Sequence, residues 1–139
     1  MEKNILGVWS LKDFLIEDKD GCRKWRENAH GILIYNEKNY MSVSINSNIT
    51  SDAILDSMLF YSGTFEVVGD TVKHLVANAT DPGRIGKTMI RKIKFDENKN
   101  LFLIAQGDFG TATLIWKKQH WSLFLFSACS AYLKRHKPL

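Results

Sequence analysis

The sequence predicts an all-β protein, an antiparallel up-and-down barrel of about eight to ten strands closed around an apolar interior. Short runs in which apolar and polar residues alternate with a period of two recur along the chain, as strands with one buried face require. Between the runs stand residues that reverse a chain: Asp20-Gly21, Asn36-Glu37-Lys38-Asn39, Gly69-Asp70 and Asp96-Glu97-Asn98-Lys99-Asn100. Gly, Asn and Asp suit such places because they tolerate positive φ or bond back to their own backbone. Many consecutive strands of this kind leave unpaired edges unless the sheet closes on itself, and a barrel is the simplest closure.

In chain order, strands are expected at Val8–Glu17, Gly31–Tyr35, Tyr40–Asn46, Phe60–Val68, Thr71–Ala79, Lys87–Phe95, Leu101–Gln106 and Thr111–Lys118, with a shorter one at Cys22–Trp25. One segment departs from the pattern. In "TSDAILDSMLF" the residues Ile54, Leu55, Met58 and Leu59 stand at helical spacing behind a Thr50 or Ser51 cap, so one short helix is expected near 51–59. After Lys118 the chain continues as an apolar run, "WSLFLFSACSAYL", and a basic end, Lys134-Arg135-His136-Lys137. The organisation expected is a barrel over 1–118 and a helical tail over 119–139. The thirteen residues of the apolar run would span about 20 Å as a helix, short of the roughly 30 Å hydrocarbon core. That leaves three destinations for 121–137: the barrel's outer wall, a protein partner or a second copy of the chain in a homodimer, or peripheral membrane contact through Trp121, Tyr132 and the basic end.

A length of 139 residues with 45% apolar and 12% aromatic content fits one domain with an ample core. The formal charge of +4 is concentrated, since Lys134, Arg135 and Lys137 carry three of the positive charges within the last six residues. Nucleic-acid binding is not expected, because the rest of the chain offers no basic footprint or recognisable module. Cys22 and Cys129 lie far apart, and His30, His120 and His136 are scattered, so neither a disulfide framework nor a metal or other cofactor is expected. The opening residues "MEKNILGVWS" lack the pattern of a secretory signal, and a cytoplasmic location is the expectation.

Alternation also assigns faces. Trp9, Leu11 and Leu15 are expected inside, as are Met41, Val43 and Ile45, Tyr61, Phe65 and Val67, Val72 and Val76, Met89, Ile93 and Phe95, and later Leu101, Leu103, Leu114 and Trp116. Three polar residues fall in phase with them: Asp13, His74 and Arg91. An inward His74 either touches a ligand, as hydrogen-bond partner or acid and base near neutral pH, or is a core histidine tied to a backbone carbonyl or a Tyr. An inward Arg91 needs a carboxylate, an anionic ligand or an aromatic face. Asp13, a ligand carboxylate and Trp9 are the three candidates. The phenols of Tyr35 and Tyr61 offer hydroxyls either to a ligand or to the barrel rim. "TDPGRIGK" at 80–87 has the wrong glycine spacing for a Walker motif and is expected to be a loop at the barrel mouth.

"LGVWSL" at Leu6–Leu11 carries a Gly-x-Trp at the start of the first strand, and "GILIYNEKNYMSVSI", "YSGTFEVVGDTVKH" and "LIWKK" follow it in order. With these blocks the chain resembles the bacterial and fungal lipocalin-like domain family from Leu6 to Lys118. The resemblance implies a small calycin barrel that holds an apolar molecule; it does not imply activity, and related barrels include isomerases and cyclases. The tail beyond Lys118 departs from the family pattern. Three functions follow. The first is binding of a hydrophobic small molecule, with Trp9, Met41, Val43, Phe65, Met89 and Trp116 as walls and His74, Arg91 and Tyr61 as orienting groups. The second is an isomerase or cyclase of a small hydrophobic metabolite with His74 as acid and base. The third is a non-catalytic interaction protein whose barrel is filled.

Overall fold

A computed structural model of the chain describes residues 2–47 and 58–120. A four-residue helix, α1 (Glu2–Ile5), precedes nine strands: β1 (Gly7–Asp18), β2 (Gly21–Lys24), β3 (His30–Tyr35), β4 (Tyr40–Asn46), β5 (Met58–Val68), β6 (Thr71–Ala79), β7 (Thr88–Phe95), β8 (Leu101–Gly107) and β9 (Gly110–Lys118). All pairings are antiparallel. Strands β1 and β3 to β9 follow one another around the sheet, and β1 pairs with β9 to close it as an eight-stranded barrel. The short β2 pairs only with the Leu15–Asp18 half of β1, beside β3 on the Gly7–Ser10 half, and so extends one end of the barrel.

The turns form for the reasons their residues imply. Asn36 Oδ1 accepts from the backbone N–H of Lys38 and Tyr40, and Asn39 closes that turn at φ 67°. Asp96 Oδ1 does the same for Asn98 and Asn100, with Lys99 at φ 63°. Gly110 has φ +118°, and a Cβ there would overlap the Glu17 carbonyl oxygen. Only glycine lets the β8–β9 turn approach β1 so closely.

Two bulges set which side chains face inward. In β1 the register slips at Lys12: Leu11 pairs with Trp116, but Asp13 pairs with Ile115 and Phe14 with Leu114. One extra residue inverts the alternation. Trp9 and Leu11 face inward below the bulge, and Phe14 and Ile16 face inward above it. The expectation that Asp13 and Leu15 share the inner face is therefore overturned, and with it Asp13 as a partner for Arg91. In β6 the extra residue is Ala77, opposite the Ser62–Gly63 step of β5. A Cβ on Gly63 would run into the Leu75 carbonyl oxygen, so the backbones meet there only because Gly63 has no side chain.

The helix expected near 51–59 lies mostly outside the described residues. Its last two positions, Met58 and Leu59, are the start of β5 and pair with Asn46 and Ile45. The expected tail helix over 121–137 also lies outside them. Among the described residues no helix is long and apolar enough to cross a membrane.

The core concentrates at the end of the barrel where β1 begins. Ile5, Trp9, Leu33, Leu101 and Trp116 are all within 1% of complete burial. Helix α1 seals this end, since the Trp9 indole N–H donates to the Ile5 carbonyl at 2.8 Å. Lys118 Nζ lies 5.3 Å from the Trp9 ring centre and donates to the Leu6 carbonyl at 2.8 Å, a cation held against an aromatic face. The stacking role that Arg91 was a candidate for thus belongs to Lys118.

Candidate functional site

Opposite the sealed end the barrel is hollow. A cavity of about 360 Å³ runs from the middle of the lumen to the mouth, at the small end of the usual range for ligand sites. Its walls are mainly apolar: Phe14 and Ile16 from β1, Val43 and Ile45 from β4, Met89 from β7 and Ala105 from β8 all line it. The mouth is framed by Trp25, Arg84, Gln106 and Phe109. Trp25 stacks on Phe14 with ring centres 4.9 Å apart, so the β2 extension folds an aromatic plate against the upper wall.

Of the residues expected to meet a ligand, His74, Arg91, Tyr61, Val43, Met89 and Trp116 line this cavity. Trp9, Met41 and Phe65 do not; they are buried in the packed end. Phe65 meets the edge of Tyr35, with centroids 4.7 Å apart.

The cavity floor is built on a non-local contact between three strands. His74 of β6 is 1% exposed and stands between two phenols. The Tyr35 hydroxyl, from β3, is 2.6 Å from Nε2, and the Tyr61 hydroxyl, from β5, is 2.7 Å from Nδ1. The core-histidine and cavity-facing readings of His74 thus hold together: the ring is tied at both nitrogens and still borders the lumen. Burial, with a smaller contribution from the positive charge of Arg91, lowers the His74 pKa from 6.5 to about 3. The imidazole is neutral at physiological pH. Burial likewise raises both tyrosines, Tyr35 well above its ordinary value of 10.0, so both phenols stay protonated.

This arrangement limits acid–base chemistry. A neutral imidazole with both nitrogens hydrogen-bonded has no lone pair free for a substrate. Proton movement into the cavity would have to pass through the Tyr61 hydroxyl.

Two guanidinium groups border the cavity, and among the described residues no Asp or Glu does. Arg91 is half-buried, and its Nη1 donates to the Ile90 carbonyl at 2.9 Å. No carboxylate among the described residues pairs with it. Arg84 is carried by a single 3₁₀ turn at Pro82–Arg84, whose start is capped by Asp81; the Arg84 Nε lies 3.6 Å from the Asp81 carboxylate. The loop expected at the mouth is there, and Arg84 is the functional candidate that sequence reading missed in it. Trp116 is fully buried, and its indole N–H has no hydrogen-bond partner among the described residues. Among those residues no three His, Cys, Asp or Glu side chains are grouped to hold a metal ion.

No curated protein matches the chain. A family model described as a lipocalin-like domain matches residues 48–119, just over half of the sequence. That stretch includes β5 to β9 with His74, Arg84, Arg91 and Trp116. The closed antiparallel barrel and this match agree, and the chain belongs to the lipocalin-like domain family.

Proposed function

We propose that the protein binds an apolar small molecule in the lumen of its barrel. The observation that carries this reading is the cavity itself, about 360 Å³, walled by aliphatic and aromatic side chains and reaching the His74–Tyr61 pair. Apolar walls supply affinity through burial, and a few convergent polar groups supply orientation. His74, Arg91 and Tyr61 are the orienting groups, with Val43, Met89 and Trp116 as walls; Trp9, Met41 and Phe65 support them from below. The filled-barrel reading has less support, because Trp9 and Phe65 fill the packed end and leave the cavity above it open. The isomerase or cyclase reading has less support than binding, because His74 is neutral and engaged at both nitrogens.

The test is titration of the full chain with naphthalene-sulfonate dyes and long-chain fatty acids, following Trp emission. Trp25 and Trp116 border the cavity and should respond. Saturable change is expected; its absence with every probe, in a folded protein, refutes an open binding lumen. Native mass spectrometry of protein purified from its own host then gives the mass of whatever stays bound.

A further inference from the structure

We propose that the cavity selects apolar molecules ending in a carboxylate or similar anionic acceptor, received by Arg91 and by the hydroxyl proton of Tyr61. This rests on the lumen being a ligand site. The first support is a proton count. Neutral His74 has one N–H and one lone pair, and each of its nitrogens faces a phenol. Tyr35 is 1% exposed, does not border the cavity, and among the described residues has its hydroxyl against His74 Nε2 alone. If that hydroxyl accepted from Nε2, its own proton would be buried without an acceptor, at the full cost of an unmet donor. Tyr35 therefore donates to Nε2. The ring proton then sits on Nδ1 and is given to the Tyr61 oxygen, which leaves the Tyr61 hydroxyl proton unspent. Tyr61, unlike Tyr35, stands on the cavity wall. The buried Tyr35 thus fixes the His74 tautomer, and the tautomer turns Tyr61 into a donor toward the lumen.

The second support is the composition of the wall. Besides Tyr61 and the engaged His74, its polar side chains are Arg84, Arg91, Gln106 and Trp116. Arginine and tryptophan only donate, so among the described residues Gln106 holds the one side-chain acceptor on the wall not already engaged. Arg84 leans on the Asp81 carboxylate at 3.6 Å, but Arg91 faces no carboxylate among the described residues and favours a negative partner, and a guanidinium matches a carboxylate in shape as well as charge. A neutral hydrocarbon would leave these donors unmet; a ligand that supplies acceptors at one end and apolar surface elsewhere satisfies the floor and the walls together.

The experiment compares lauric acid with methyl laurate at neutral pH by Trp fluorescence on the full chain, and needs no variant. The acid is expected to bind at least roughly tenfold more tightly. Arg91→Met should abolish most of the acid's advantage over the ester, read as the ratio of the two affinities in the same variant. Nitrogen-detected NMR of the imidazole should find His74 protonated at Nδ1. Equal or tighter binding of the ester overturns the inference and leaves apolar binding standing; binding of neither probe overturns both. An Nε2-protonated His74 removes the donor role of Tyr61 and overturns the assignment even if the acid binds.

Discussion

Acidification from about pH 7.5 to about pH 5 should destabilise the protein by about 2 kcal/mol through His74 alone. In the unfolded chain this imidazole titrates near its ordinary 6.5, whereas in the barrel it resists protonation down to about 3. The unfolded state binds the proton first, so stability contributed by the neutral ring is complete above 6.5 and is lost as pH falls toward 3. One unit is worth about 1.4 kcal/mol, and about 1.5 units separate 6.5 from pH 5. For a chain of this size the loss corresponds to a fall in melting temperature of roughly 6–8 °C. Among the described residues two carboxyl groups are held below their ordinary range by the fold, and this window lies above both. Asp18, held below 3.8 chiefly by its bond from Arg23, and Asp96, held below 3.8 chiefly by its bond from Asn100, lose their contributions only at lower pH. The assay is urea or thermal unfolding across this range for the wild type and His74→Gln. The variant is expected to start less stable but to show little of the pH dependence. Parallel loss in the two proteins would refute the account of a neutral, doubly bonded His74.

Other outcomes follow from single contacts. Gly63→Ala should prevent folding or destabilise by more than about 3 kcal/mol, because the Leu75 carbonyl occupies the space of the new methyl; a near-normal chemical denaturation curve would show that the β5–β6 bulge can relax. Lys118→Met removes the cation over Trp9 and the donor to the Leu6 carbonyl, with an expected loss of about 1–2 kcal/mol and no change in dye affinity. Deleting residues 121–139 tests the tail. The chain leaves β9 through Gln119, whose amide nitrogens bond the Val8 carbonyl and the Ser10 hydroxyl, next to the exposed outer-face residues Val8, Ile32 and Ile34. Packing of the tail on this wall predicts a lower melting temperature in the monomer, self-association predicts a smaller oligomer, and membrane contact predicts release from anionic vesicles. No change in any of the three would deny the tail all these roles.

What could be read from the sequence depended on whether the relevant signal was local. Strands β4 and β6 alternate without interruption through Met41, Val43 and Ile45 and through Val72, His74 and Val76, and their faces follow directly. The upper half of β1 was misread because period-two reasoning assumes one residue per step, and Lys12 adds a step that nothing in its identity announces. His74 could be placed inside by phase, but its two phenols come from positions 39 and 13 residues away, pairings fixed by strand order rather than by spacing. Lys118 sits in the ordinary-looking pair Lys117-Lys118 and gains its meaning only when β9 closes against β1 over Trp9. Arg84 was hidden in a turn-rich loop, where composition reveals the turn but not the direction of the side chain.

The sealed end and the hollow end of this barrel are separate territories on the same eight strands, and that separation bears on how such a protein can change. Trp9, Lys118 and their neighbours secure the fold from below, while Ile16, Ala105, Phe109 and Ala112 shape the upper cavity. Exchanging residues of the second group alters the size and outline of the chamber without touching the contacts of the first. Mutational drift can therefore retune the cargo of such a barrel while the scaffold stays in place, and a randomised library confined to those upper positions should yield mostly folded clones with divergent ligand preferences.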